Sequence, residues 1–353
     1  MKSRRLIWLP VKIVIGGGLI AFVLIRILKQ WGDVSDTITN ALQRSPHYLV
    51  LGLFAFTGVY VLGNIRWILL LRPHGVHLSF WPTSKLWFIG HFFAQYMPGG
   101  IAGGDLIKSY YVATHPKAAG RFAESVSTVV LDRLVGVTGL LGVLLIATVI
   151  NLQKSAEYPR YWLYALAFLL AAVLAAAVVF SKPLLKRIPL FVRLHAKLPY
   201  RDRVMRLYDA FYFYRTRPLE LAAAFGLSLL VHATTALEAY LFGTALGLGY
   251  TYPEYLLLLS LANFVASIPV SPVGNVGTLE AACMAFFGGA QGLPLAIVIR
   301  IAYWLWGIPG LLLYVTHRKE YPHKPLDEAA DTTGHDGPPP HPHTYLEEAP
   351  AND

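Results

Sequence analysis

The sequence is poor in charge and nearly free of cysteine, and each shortage excludes a class of protein. Only 14% of the 353 residues are Asp, Glu, Lys or Arg, whereas soluble domains average about 25%. The single Cys283 excludes an intrachain disulfide and a CxxC metal or redox site. No GxxxxGK(S/T) phosphate loop is present, so direct use of ATP is not expected. Apolar residues dominate instead, at 55% of the chain.

Long apolar runs account for much of the chain. A helix that crosses a bilayer needs about 20 mostly apolar residues. The first run resembles a signal peptide, but it is too long for one and no small-residue cleavage site follows, so we expect it to remain as a span. The sequence predicts six full spans, at 9–28, 47–71, 123–150, 161–180, 218–247 and 294–316.

Two further apolar stretches, 84–112 and 253–290, are interrupted by proline and glycine. Proline removes a backbone donor and glycine weakens a helix. Backbone freed in this way is tolerated at membrane depth only inside protein or along a watery cavity. We therefore predict two broken re-entrant helical hairpins. The expected fold class is an all-α polytopic membrane protein with about six full transmembrane helices plus these hairpins.

The excess positive charge lies between the apolar runs. The formal net charge is +10, and ten Lys and Arg residues fall between Lys182 and Arg217. Positive charge beside membrane spans marks the cytoplasmic side, so we interpret it as membrane topology rather than as a nucleic-acid surface. The bias predicts a multi-pass protein of the cytoplasmic membrane with both termini cytoplasmic. The first hairpin then enters from the cytoplasm and the second from outside.

A short motif occurs in both interrupted stretches. Residues 98–105 read PGGIAGGD and residues 272–280 read PVGNVGTLE, so each has Pro-x-Gly-x-x-Gly followed closely by an acidic residue. Each motif follows one span and precedes another that has an early arginine, Arg133 or Arg300. Since the predicted topology gives the two halves opposite orientations, we predict an inverted repeat, in which transporters hold substrate at broken helices near the midplane. The alternative is coincidence in a glycine-rich chain.

These elements divide the chain into five segments. The two repeats are each expected to contain one hairpin, and the tail to be disordered because it is rich in proline and acidic residues. The segments are 1–46, the first span and outer loop; 47–150, the first repeat; 151–217, a linking span and a basic cytoplasmic segment; 218–316, the second repeat; and 317–353, the cytoplasmic tail.

Four segments resemble the lysylphosphatidylglycerol synthase transmembrane-domain family of flippase-like proteins, which includes the flippase half of the multiple peptide resistance factor. They are 95–112 (QYMPGGIAGGDLIKSYYV), 129–137 (VVLDRLVGV), 267–287 (SIPVSPVGNVGTLEAACMAFF) and 300–310 (RIAYWLWGIPG). The resemblance extends over residues 5 to about 318. It implies translocation of a lipid or lipid-linked substrate across the cytoplasmic membrane and does not determine which substrate. Lysyl transfer is not implied, because the sequence contains no aminoacyl-transferase domain.

The chain departs from the family pattern at the second motif. Thr278 and Leu279 precede Glu280 where relatives often carry an arginine, and Asn275 replaces a more usual glycine. These departures affect the chemistry expected of the second hairpin.

Ionisable residues inside the predicted spans point to a site, because each costs about 2.5 kcal/mol or more at the bilayer centre unless it pairs or lines a cavity. Arg133 and Arg300 could clamp phosphate oxygens, assisted by N–H groups at helix N-termini after the glycine-rich turns. The alternative to substrate binding is a structural role, in which Asp105 forms an ion pair with Arg133 and Glu280 forms one with Arg300. The predicted substrate-binding residues are Gly99, Gly100, Gly103, Asp105, Asp132, Arg133, Gly274, Gly277, Glu280, Arg300 and Tyr303.

Two side chains are expected to serve the membrane interface or the backbone. Arg66, near the end of the second span, is expected to extend to the inner interface. His91, just before the first break, is expected to be structural.

Three functions are compatible with these residues. The first is a lipid flippase or carrier. The second is an intramembrane lipid phosphatase or transferase that uses Asp105 and Glu280 as acid and base, with His91. The third is a scaffold without a substrate. We predict the carrier rather than an enzyme, with membrane lipids or lipid-linked phosphates as partners and with no nucleic acid, metal or cofactor. The sequence is compatible with a homo-oligomer but does not determine the oligomeric state.

Overall fold

The computed structural model describes residues 17–18, 20–97, 100–113, 115, 122–151, 163, 166–167, 170, 213–268, 271 and 274–317. All regular secondary structure within these ranges is helical, which confirms the predicted all-α class. Residues 20–29 are helical. The helices that follow are α1 (Trp31–Arg44), α2 (Pro46–Leu71), α3 (Phe80–Tyr96), α4 (Gly100–Ala113), α5 (Phe122–Ile150), α6 (Pro218–Ala245), α7 (Tyr252–Ala266), α8 (Thr278–Phe286) and α9 (Gly289–His317), with 3-10 turns at Arg72–His74 and Phe213–Thr216.

Four helical segments in the described part of the chain are long and apolar enough to cross a membrane. They coincide with four of the predicted spans and establish a multi-pass membrane protein. Proline at the first turn of α2 and of α6 favours these helix starts, because the missing N–H would have no helical partner there. The predicted span 161–180 lies largely outside the described residues, whereas the described part of span 9–28, residues 17–18 and 20–28, is helical. The four segments are Pro46–His74, Glu124–Ile150, Pro218–Ala245 and Gln291–Thr316.

Small residues allow the long helices of the two halves to approach closely. On α2, Gly52 faces the Phe242 ring of α6, and a Cβ at Gly58 would lie 3.2 Å from Thr234. On α5, Gly139 faces Ser228 of α6. Such contacts are typical of helices packed in lipid, where close backbone approach supplies van der Waals attraction. The helices of the first half therefore pack directly on α6.

A helix, a break and a second helix occur at both places where the sequence predicts them. In the first half, α3 ends at Tyr96 and α4 begins at Gly100. The two helices pack tightly, with Gly104 of α4 against the backbone carbonyl of Gly90 on α3. In the second half, α7 ends at Ala266 and α8 begins at Thr278. We call these pairs the first and second helix pairs.

The largest apolar core joins the second helix pair to α6 and α9. Phe242, Tyr255, Leu258 and Phe287 are all at most 1% exposed within it. Cys283 belongs to the same core and is fully buried, as expected for an inert thiol. The second half thus gives α8 a rigid support.

The predicted division into five segments stays a prediction. Residues 182–212 of the basic segment and the tail from residue 318 lie outside the described residues. Both halves have the same order of elements, a long helix, a broken pair and a long helix with an early arginine; the inverted orientation stays a prediction as well.

Candidate functional site

The breaks of the two helix pairs touch each other. Gly100 has φ +54°, and a Cβ there would lie 3.4 Å from the backbone nitrogen of Gly274. Gly274 has φ +49°, and a Cβ there would lie 2.6 Å from the carbonyl oxygen of Gln95 on α3. Left-handed backbone and close approach both favour glycine at these positions. The two glycine motifs therefore meet at one place, which we call the junction (Gln95, Gly100, Gly274 and Asn275).

Arg300 of α9 holds the junction together. Its Nε donates to Glu280 Oε1 at 2.8 Å, and its Nη2 donates to Glu280 Oε2 at 3.3 Å and to Asn275 O at 3.0 Å. Its Nη1 donates to Gly274 O at 2.5 Å and to Gln95 Oε1 at 3.4 Å. A guanidinium has five N–H donors, so every one of them is engaged. The predicted Glu280–Arg300 pair is thus observed, and it is buried.

Glu280 also fixes the start of α8. Its Oε2 accepts a hydrogen bond from the Gly277 N–H at 2.7 Å, which satisfies a backbone donor that has no partner inside the helix. Gly277 has φ +89° and Asn275 has φ 56°, so the chain turns sharply before α8. Asparagine tolerates this left-handed conformation better than most residues. The Ser271 hydroxyl donates to Val276 O at 2.8 Å and fixes the turn further.

A cavity of about 160 Å³, lined by both polar and apolar groups, lies beside the junction. It draws side chains from α3, α7, α8 and α9, so its walls come from both halves of the chain. Its volume corresponds to several water molecules at about 30 Å³ each. The lining residues are Gln95, Asn263, Ala266, Ser267, Gly274, Asn275, Leu279, Arg300 and Tyr303.

A second group of charged side chains lies around α4 and α5. Arg133 and Asp105 form the predicted pair, with Arg133 Nε and Nη2 each 2.7 Å from a different oxygen of Asp105. This two-pronged geometry is the strong form of an arginine–carboxylate contact. The Arg133 side chain is nevertheless 53% exposed. Its Nη1 donates to no acceptor among the described residues.

The neighbouring Asp132 points elsewhere and pairs with Arg66 of α2. Arg66 Nε donates to Asp132 Oδ1 at 2.8 Å, and Arg66 Nη1 donates to Ser228 Oγ on α6 at 2.9 Å. The prediction that Arg66 extends to the inner interface is therefore wrong, because the residue is 8% exposed. An arginine in a span that finds an acid and a hydroxyl inside the protein has no need to reach water.

Lys108 completes this group, although it is not among the predicted site residues. It lies in α4 and is 7% exposed. Its ammonium lies 3.6 Å from the centre of the Trp67 ring and 4.0 Å from Asp132 Oδ2. Its position three residues after Asp105 places both on one helix face, which is the signal in the sequence that could have identified it. We call Arg66, Asp105, Lys108, Asp132 and Arg133 the charged cluster.

The remaining predicted residues lie around the junction and the charged cluster. Gly103 lies half-buried in α4, and Gly99 lies outside the described residues. Tyr303 lines the cavity, and its backbone carbonyl accepts a hydrogen bond from His91 Nε2 at 3.0 Å. His91 therefore ties α3 to α9 instead of supporting the first break. Gln95 and Asn263 belong to the site but were not predicted.

These features define a multi-pass α-helical membrane protein in which two broken helix pairs meet at a polar junction. The sequence model described as Lysylphosphatidylglycerol synthase TM region matches residues 11–310. The chain belongs to this family, and the resemblance predicted from its motifs is confirmed. No curated protein and no solved structure matches the chain significantly.

Proposed function

We propose that this protein is a flippase-like carrier, not an enzyme, that moves a lipid or lipid-linked substrate with a phosphate-bearing headgroup across the cytoplasmic membrane. The observation that supports it most is the contact between the two helix breaks, at Gly100 and Gly274, beside a cavity that several polar side chains line. Membership of the family supports a role with membrane lipids. In this proposal both termini are cytoplasmic.

The barrier to lipid movement is the headgroup, since the acyl chains can stay in hydrocarbon throughout. A charged group at the bilayer centre costs several kcal/mol or more unless polar groups replace its water. The cavity offers such groups from Gln95, Asn263 and Asn275, next to the buried Arg300. A headgroup passing along the junction would exchange water for these side chains, which lowers the barrier.

Alternating access follows from the arrangement of the halves. If the helix pairs re-enter from opposite faces, each blocks the path to one side of the membrane. Rocking of α2 against α6 would then open the cavity to one side at a time. At Gly58 the backbone of α2 lies close to Thr234 of α6, so the two helices are already in close contact where this rocking would occur.

A scrambling assay tests the proposal. Purified protein in liposomes is given a panel of fluorescent phospholipids and lipid phosphates, and the fraction accessible to a membrane-impermeant quencher is followed over time. We expect faster exchange between leaflets than in empty liposomes, and slower exchange with Gly274→Leu, which obstructs the junction. Phe54→Leu is the matched control, since Phe54 is 69% exposed and away from the site. Exchange equal to that of empty liposomes for every lipid would contradict the carrier. Release of a modified lipid would indicate an enzyme instead.

A further inference from the structure

The charged cluster has more positive than negative charge. Its cations are Arg66, Lys108 and Arg133, and its acids are Asp105 and Asp132. No further carboxylate among the described residues acts on Lys108, Asp132 or Arg133. The cluster therefore carries one positive charge that the described part of the chain does not neutralise.

The donors that lack an acceptor lie on Lys108 and Arg133. Both oxygens of Asp105 are engaged by Arg133, and Asp132 Oδ1 is engaged by Arg66. The remaining oxygen, Asp132 Oδ2, is 4.0 Å from Lys108 Nζ, beyond hydrogen-bonding distance. Thus Lys108 Nζ and Arg133 Nη1 donate to no acceptor within the described ranges. The Lys108 side chain is only 8% exposed, so water can satisfy its ammonium only in part.

The Trp67 ring compensates the ammonium only in part. A cation over an aromatic face gains about 0.5–2 kcal/mol, whereas an ammonium removed from water loses three hydrogen bonds. Lys108 and Arg133 both lie beside Asp105, the first on the same face of α4 and the second paired with its carboxylate. Both cations therefore lie around one carboxylate, and each keeps a donor that can bind an anion.

Arg300, in contrast, has no N–H group left to bind an anion. All five of its N–H groups already donate to Glu280, Asn275, Gly274 and Gln95. A phosphate could bind it only by displacing the contacts that hold the junction. The two arginines that the sequence presents as equivalent therefore differ. Arg300 is structural, whereas Arg133 has a donor available to bind an anion.

We propose that Lys108 and the open edge of Arg133 bind the phosphate of a phosphodiester lipid headgroup, an inference that rests on the proposed carrier function. The chemical class of the headgroup follows from the net charge of the cluster. A phosphodiester carries one negative charge, which matches the excess of the cluster. A phosphomonoester carries about −1.5 to −2 at neutral pH and would bring more negative charge than the cluster neutralises. Lysine serves as a point charge for phosphate and arginine as a planar fork.

Lipid binding to the purified full chain in detergent tests the site, with native mass spectrometry as the readout. The probes are phosphatidylglycerol as the diester, phosphatidic acid as the monoester and diacylglycerol without phosphate. We expect wild type to prefer phosphatidylglycerol over the other two by about tenfold or more. Lys108→Gln and Arg133→Gln should each weaken that binding by about tenfold, and Lys108→Arg should keep most of it. Lys29→Gln, at an exposed position on the helix 20–29, is the matched control.

Three outcomes would overturn the site. They are unchanged binding in Lys108→Gln, a preference for phosphatidic acid, and equal binding of soluble glycerophosphoglycerol, which would mean a water-soluble diester. If a variant does not fold, the headgroup preference of wild type and the binding by Lys108→Arg still test the site.

The scrambling assay separates the two proposals. Transport that survives Lys108→Gln refutes this site but leaves the carrier, whereas Lys108-dependent binding without any transport refutes the carrier but leaves the site.

Discussion

Glu280 and Arg300 form a two-pronged ion pair in which neither side chain is more than 6% exposed. The same pair carries the start of α8, because Glu280 Oε2 also accepts the Gly277 N–H. Removal of one partner would leave an uncompensated charge in the protein interior. Loss of one side of such a pair costs about 3–5 kcal/mol. The stability of the junction therefore depends on this contact.

Glu280→Gln should destabilise the protein by about 3 kcal/mol or more. The amide keeps the shape of the side chain but leaves the Arg300 charge without a counter-charge, and it presents one acceptor where the carboxylate presents two. Thermal unfolding in detergent, followed by the fluorescence of the tryptophans, measures the loss. An unfolding temperature equal to that of wild type would show that the pair is dispensable.

Glu238→Gln should behave in the opposite way. Glu238 is 1% exposed in α6, and its Oε1 has no hydrogen-bond partner among the described residues. An enclosed carboxyl without a partner is unfavourable, so the neutral amide of similar size should leave stability unchanged or raise it. The variant serves as the matched control for Glu280→Gln in the same unfolding experiment. A loss as large as that of Glu280→Gln would contradict the absence of a partner.

Asp132→Asn should destabilise the protein, because it removes the negative charge that Arg66 is paired with while Arg66 stays buried, donating also to the neutral Ser228 hydroxyl. The expected loss is about 3–5 kcal/mol. The double replacement Arg66→Met with Asp132→Leu should recover much of it, since apolar residues of similar volume often replace a buried pair without loss. A double-mutant cycle measures the coupling between the two residues. Strictly additive effects would show that they do not interact.

Gly274→Ala should destabilise the junction. The added Cβ would lie 2.6 Å from the Gln95 carbonyl oxygen, at a backbone with φ +49°, so both the contact and the conformation disfavour alanine. The expected loss exceeds about 1 kcal/mol. Gly226→Ala in α6 is the matched control, since a Cβ there meets nothing within 4 Å. It should be neutral or stabilise by up to about 1 kcal/mol. Equal unfolding temperatures for the two variants would contradict the close contact.

The spans and the breaks could be predicted because they are local properties of the sequence. Helix length and apolar composition determine where a chain can cross a bilayer, and the four described spans lie within a few residues of their predicted positions. Proline and glycine in an apolar run identify a break for an equally local reason, the loss of backbone hydrogen bonds. The two motifs therefore locate both sides of the junction from the sequence alone.

The partners of the charged side chains were predictable only where the two halves repeat the same order. The pairs Asp105–Arg133 and Glu280–Arg300 follow from the order that both halves repeat, a motif with an acidic residue and then a span with an early arginine. Arg66 and Asp132 have no counterpart of this kind, and they meet because α2 and α5 pack together. Helix packing in three dimensions also decides that successive residues of α5, Asp132 and Arg133, turn to different partners, since adjacent helical positions are about 100° apart. The position of Lys108 on the same helix face as Asp105 could be predicted, but its contacts with Trp67 and Asp132 depend on how α4 packs against α2 and α5.

The burial of Cys283 has a practical consequence for the study of this protein. It is the only cysteine in the chain and it is fully enclosed between α8 and its neighbours. A thiolate, not an enclosed thiol, reacts with maleimide or methanethiosulfonate reagents, so the folded native chain provides a silent background. Spin labels or fluorophores can be attached to introduced cysteines on α2 and α6 without replacing Cys283, and distances between them can follow the relative motion of the two halves during turnover.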